Sequence, residues 1–160
     1  MRRLAFILLI CAPAALAGDD SQFRAGALGL SWGATLQQVQ SAYPGGLTWP
    51  VQGRLVEGVV YAIPGNAQML GVTTPVQFVQ FIFNKKNELQ NVFFHFNYDD
   101  RDSALYNVAE ILGQEYSVKD EGVVRKYSWK IGKLTQAQFE AGTSAAHPWA
   151  QLGLQGTKTP

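Results

Sequence analysis

Gly29-Leu30-Ser31-Trp32-Gly33 spells out G-x-S-x-G, the spacing of a nucleophile elbow. In that motif a serine sits on a sharp turn between a strand and a helix, and its hydroxyl attacks a carbonyl. Asp99, Asp100 and Asp102 followed by His147 complete the order serine, acid, histidine. Ser31 is therefore the candidate nucleophile of a serine hydrolase. Three requirements weigh against it. An elbow needs a parallel sheet with crossover helices. Ser31 lies close to the expected mature N-terminus, which leaves no room for preceding strands. The strands that follow read as hairpins. The competing reading is a strand-to-helix turn in which glycines permit the bend and Trp32 packs inward.

Other chemistries find less support. The two histidines, His95 and His147, come with no cysteine beyond Cys11, so zinc spacing is absent. Asp99-Asp100-Arg101-Asp102 lacks the glycine and the downstream glutamate of a calcium loop. Glu57, Glu88, Glu110, Glu115 and Glu140 are scattered, with no paired-carboxylate signal of a glycosidase. Gly26, Gly29 and Gly33 do not have the spacing of a phosphate loop. No catalytic residue, metal or cofactor is assigned. His95 lies within Phe93-Phe94-His95-Phe96, where period two puts Phe93 and His95 on the sheet face opposite Val92, Phe94 and Phe96.

These residues must be carried by regular elements. Thr35-Leu36-Gln37-Gln38 has the form of a capping box. Leu36, Val39 and Tyr43 continue it as a helical stripe, and Pro44-Gly45-Gly46 ends it. Residues 28–32 predict a short strand, and residues 54–63, 75–83 and 89–98 predict three more. Residues 84–88 form the hairpin loop between the last two. The acidic run at 99–103 predicts a helix N-terminus, followed by a helix over 104–116. Residues 123–131 alternate strictly and predict a strand. Residues 149–154 predict a last strand, after a loop or short helix holding Phe139. Residues 18–27 are expected to be loose. The expectation is an α+β domain: an antiparallel sheet of about five strands with two helices packed on one face. A helix followed by strands occurs twice, a faint internal repeat.

The chain of 160 residues opens with Arg2 and Arg3, an apolar run from Leu4 to Cys11, and Ala15-Leu16-Ala17. These are the three parts of a secretory signal peptide, with cleavage expected near Ala17-Gly18. The apolar run falls short of the roughly 20 residues of a spanning helix. Residues 1–17 are thus read as a signal peptide and 18–160 as a single domain, periplasmic or secreted. Loss of Arg2 and Arg3 lowers the 13 basic residues to 11 against 12 acidic, a formal charge of −1. That balance argues against nucleic acid or an anionic membrane as the main partner. Cys11 leaves with the signal, so the mature chain has no disulfide.

"GLSWGATLQQVQSAYP", "FIFNKKNELQNVFFHF" and "VAEILGQEYS" resemble small exported bacterial envelope proteins that begin with a G-[LI]-x-W-G segment. They are also similar to helix-plus-antiparallel-sheet modules of the beta-lactamase-inhibitor-protein and outer-membrane-assembly-lipoprotein type. The resemblance implies a binding or assembly module rather than an enzyme. It carries over no functional residue.

The expected function is an exported, non-enzymatic binding protein acting by protein–protein contact, as an inhibitor or immunity factor or in envelope assembly. The expected contact residues are Trp49, Tyr61, Phe93, His95, Tyr127 and Trp129, because aromatic anchors bury much area at low entropic cost. One alternative is a carrier of a small apolar ligand or peptide. The more remote one is the hydrolase using Ser31. Residues 135–160 are an open matter at this point. They could fold over the second sheet face or leave it free.

Overall fold

Alternating side chains build most of this molecule. The computed structural model describes residues 21–52, 57–66, 69–70, 73–143 and 147–157. The expected signal peptide and residues 54–56 of one expected strand lie outside them.

Eight strands form one fully antiparallel sheet in two meanders. The first contains β3 (Leu47–Gln52), β4 (Glu57–Pro64), β5 (Val76–Asn84) and β6 (Leu89–Phe96). The second contains β7 (Ser117–Glu121), β8 (Val124–Ile131), β9 (Thr135–Thr143) and β10 (Pro148–Gly156). The spatial order is β3-β4-β5-β6-β10-β9-β8-β7. The fourth strand of each meander therefore meets the other at the centre, where Phe94 faces Leu152 and Val92 faces Leu154. A helix precedes each meander: α1 (Leu36–Ala42) the first and α2 (Arg101–Leu112) the second. A separate two-stranded hairpin, β1 (Gly26–Ala27) and β2 (Leu30–Ser31), lies at the N-terminal end.

This corrects the expected fold class. The chain is mostly β, with eight strands in the main sheet rather than about five, and the helices are a minor part. The missed strands lack a strong apolar signature. β3 carries Pro50, β7 is exposed throughout, and β9 points small side chains inward around a single large one, Phe139. Residues 135–143 and 148–156 do not fold over the second face. They run within the sheet, and β10 is one of its two central strands.

One face of the sheet is closed. Tyr61, Phe81, Phe94, Leu152, Phe139 and Trp129 point to it and form a single core with Val39 of α1 and Ala104, Val108 and Ala109 of α2. Residues 21–27 of the stretch expected to be loose are not so: Phe23 and Ala27 are buried in the same core. α1 is held at its start by the expected box, in which Thr35 Oγ1 accepts from Gln38 N–H and Gln38 Oε1 accepts from Thr35 N–H. The 84–88 hairpin also matches its expectation. Asn84 Oδ1 accepts from the amides of Lys86 and Glu88, and Asn87 adopts φ 58, a left-handed conformation asparagine tolerates. α2 begins within the expected acidic run, with Asp100 as its N-cap but no side-chain capping bond, and spans Arg101–Leu112 rather than 104–116.

The edges are protected in different ways. β7 carries Lys119, Asp120 and Glu121, and β3 carries Pro50, which has no N–H to offer a further strand. Among the described residues, no helix is long and apolar enough to cross a membrane.

Candidate functional site

The elbow motif can be placed first. Ser31 is exposed on β2 and pairs with Gly26 in the small antiparallel hairpin. The turn between β1 and β2 has positive φ at Leu28 (55°) and Gly29 (73°), the geometry of a tight hairpin. Trp32 packs inward. Its ring lies over Gly156, where an added Cβ would come within 2.8 Å, and its Nε1 donates to Thr135 Oγ1 at 2.8 Å. His147 precedes Pro148 at the other end of β10. At roughly 3.3 Å per residue, that strand separates the Ser31 end from the His147 end by about 26 Å. The acidic run at 99–102 follows Phe96, which pairs with Ala150 near the same distant end. Serine, acid and histidine are not brought together.

The second face of the sheet is covered by neither helix. Cross-strand pairing sets its side chains in rows. One row runs Trp49, Val60, Ile82, Asn91, Gln155, Gln136 and Lys130. Another runs Phe78, His95, Gln151, Glu140 and Lys126. Each row begins apolar on the β3–β6 half and becomes polar on the β10–β7 half. Val60 is only 4 % exposed yet lies outside the main core. With Trp49 and Ile82 beside it in the row, it marks a second, small apolar cluster on this face. Leu47, Trp49 and Phe78 are 74 %, 39 % and 37 % exposed.

The six expected contact residues divide evenly. Trp49, Phe93 and His95 lie on the open face. Tyr61, Tyr127 and Trp129 point to the closed one. Tyr61 is buried, and its hydroxyl donates to the Tyr43 carbonyl and accepts from Gly46 N–H. Tyr127 packs against Tyr116 and Phe139. Trp129 Nε1 donates to the Gly113 carbonyl at the end of α2. These three bind the helices and turns to the sheet and leave the candidate contact surface. Phe78, absent from the expected set, joins it. A bulge at Gln77 shifts the register between Val76 and Phe78. Phe78 then lies opposite His95, with ring centroids 4.1 Å apart and planes 12° from parallel. The alternation Val76-Gln77-Phe78 gives no sign of that bulge.

No family model matches this chain, and neither does any curated protein or solved structure.

The electrostatics of the face differ between its halves. His95 Nε2 lies 3.0 Å from Gln80 Oε1, and burial pulls the imidazole down from 6.5 to about 4. It is therefore neutral at pH 7. On the polar half, Lys119 and Lys126 both reach Glu121, at 2.6 and 2.8 Å, and Lys126 lies 3.7 Å from Glu140. Hydrogen bonds from Lys119 and then Lys126 hold the Glu121 carboxyl at about 2. Two cations and two carboxylates neutralise one another along this rim. Among the described residues, no group of three or more histidine, cysteine or acidic side chains could hold a metal ion.

The depressed His95 value has a consequence for stability. Between pH 6.5 and about 4 the unfolded chain binds a proton that the folded chain resists. His95 therefore contributes fully above pH 6.5, and its contribution falls as the pH drops toward 4. The Glu121 contribution is lost at lower pH, between its ordinary 4.5 and about 2. Urea midpoints measured from pH 7 to pH 5 should fall for the native chain and fall less for His95→Gln. Parallel curves would refute this assignment.

Proposed function

We propose that this is an exported, non-enzymatic binding protein that works by contact, with the open sheet face as its docking surface for a partner protein. The observation that carries this reading is the group Trp49, Phe78, Phe93 and His95, together with the exposed Leu47. The sheet holds these side chains on the face that, among the described residues, neither helix covers. Rings fixed on strands lose little entropy on binding, and an apolar centre with a polar rim is the usual anatomy of an interface. The near-neutral charge suits selection by shape rather than by steering. An inhibitory or immunity role and a role in envelope assembly both use such a surface.

The test is capture from an envelope extract followed by affinity measurement with the recovered protein. Trp49→Ala and Phe78→Ala should each weaken binding about 30-fold, the scale of a hot-spot residue. Both rings are more than a third exposed, so both variants should fold, at a smaller cost in the urea midpoint than removal of a fully buried ring. Equal affinity of both variants and the native chain would refute the reading.

A further inference from the structure

The polar half of the open face contains a trough of about 450 Å3 over β6, β10, β9 and β8. We propose that this trough is a carbohydrate site that takes a neutral oligosaccharide, beside the partner-docking group and sharing only Phe93 with it.

The lining chemistry carries the inference. Five primary amides converge on the trough: Asn91, Gln136, Gln138, Gln151 and Gln155. They come from three adjacent strands, with Asn91 opposite Gln155 and Gln155 opposite Gln136. Neighbouring strands lie roughly 4.8 Å apart, so the amides form a two-dimensional array rather than a single line. Gln138 donates to Glu140. The side chains of Asn91, Gln136, Gln151 and Gln155 make no hydrogen bond among the described residues. Their donors and acceptors are available.

A primary amide offers donors and an acceptor on one rigid plane. Adjacent hydroxyls of a sugar, each able to donate and accept, match that pattern. An anion would use the donors and leave the acceptors unmatched. The trough's charges are Lys130 and Glu140, one of each sign, so it selects neither phosphates nor polycations. An added peptide strand is also poorly served. It docks by main-chain bonds to a sheet edge, whereas here the strands on both sides of β10 and β9 already use those groups.

Phe93 supplies the apolar element. Its ring lies over Gly153, where an added Cβ would come within 2.7 Å of it. Glycine in the trough floor thus lets the ring lie low beside the amides. A flat aromatic surface next to hydrogen-bonding groups suits a sugar ring, which has an apolar C–H face and a polar rim. The volume falls within the roughly 300–1,000 Å3 of small-ligand sites.

The test uses the full chain with chitotetraose, cellotetraose and maltotetraose, followed by titration calorimetry and saturation-transfer NMR. At least one sugar should bind with a Kd of about 10 μM to 1 mM. The double variant Gln136→Leu/Gln155→Leu should weaken that binding about tenfold, while Trp49→Ala should leave it unchanged. Both glutamines are exposed, so the double variant is expected to fold, and its urea midpoint checks this. Absence of binding by all three sugars at about 10 mM would overturn the proposal, as would equal binding by the folded double variant. Loss of protein capture by the double variant without any sugar binding would assign the trough to the protein partner instead. The docking reading fails on a different result, unchanged capture by Trp49→Ala and Phe78→Ala.

Discussion

Trp129→Ala should cost about 3–5 kcal/mol of stability, the range for removing a large buried aromatic ring. Trp129 is 4 % exposed, and its indole contacts the segment between α2 and β7 in two ways. The N–H donates to the Gly113 carbonyl at 2.8 Å, and the ring lies 5.2 Å from Tyr116. Gly113 is the C-cap of α2, with φ 96, and its own amide bonds back to Ala109. The indole thus holds the point where the helix stops and the chain turns toward β7. Removing it opens a cavity and frees the last turn of α2. Trp129→Phe keeps most of the apolar area and loses the N–H bond, at a cost of about 1 kcal/mol from that bond alone. Urea unfolding of the three proteins tests this. A loss below about 1 kcal/mol for Trp129→Ala would place this side chain at the surface, as a contact residue would be.

Trp32→Ala and Ser31→Ala should differ sharply although the residues are adjacent. Trp32 joins the N-terminal hairpin to the sheet through Gly156 and Thr135. Thr135 is almost fully buried, so removal of the indole leaves a hydroxyl without its donor as well as a void. The expected cost is about 3–4 kcal/mol, from the lost ring and the broken bond together. Ser31 is exposed, and its replacement should stay within about 0.5 kcal/mol. Thermal or urea unfolding measures both. A fluorophosphonate probe adds a separate check, since Ser31 has no histidine near enough to activate it. Labelling of Ser31 would contradict the geometry.

How much of this was legible in the chain depends on which side chains carry the signal. The alternation of Val92, Phe94 and Phe96 against Phe93 and His95 identified both faces of β6 correctly. Asn84 to Glu88 identified its hairpin. β9 was hidden although it alternates well: Thr135, Ala137, Phe139 and Ala141 point inward, against Gln136, Gln138 and Glu140. Apart from Phe139 the inward residues are small, which gives a weak hydrophobic period, and at Thr135 the space above is filled by a ring from elsewhere. The Trp32 indole covers Thr135, and Tyr127 packs on Phe139. β7 is exposed along its whole length, and β3 has Pro50 at its centre, which only an edge strand accommodates.

The site shows the same division. Tyr61, Tyr127 and Trp129 are aromatic residues on alternating strands, and alternation gives the period without saying which side is covered. That choice is made by α2 and by the turn after α1, through Gly113, Tyr43 and Gly46. The amide trough depends wholly on topology. Asn91 and the glutamines of 136–155 become neighbours only because β10 inserts between β6 and β9. No local pattern announces that insertion.

The meeting of β6 and β10 also bears on how two copies of the chain could interact. Each half of the molecule is a helix followed by four strands, and each ends on a strand whose free edge is satisfied by the other half. The pairing of Phe94 with Leu152 and Val92 with Leu154 is the same whether the two strands belong to one chain or to two. The first half passes to the second through the short 3-10 turn Tyr98–Asp100, which leads straight into α2. A domain-swapped dimer would preserve every strand pairing of the monomer and double the open face. The seam that completes the sheet is thus the one set of pairings that a swap would have to break and remake.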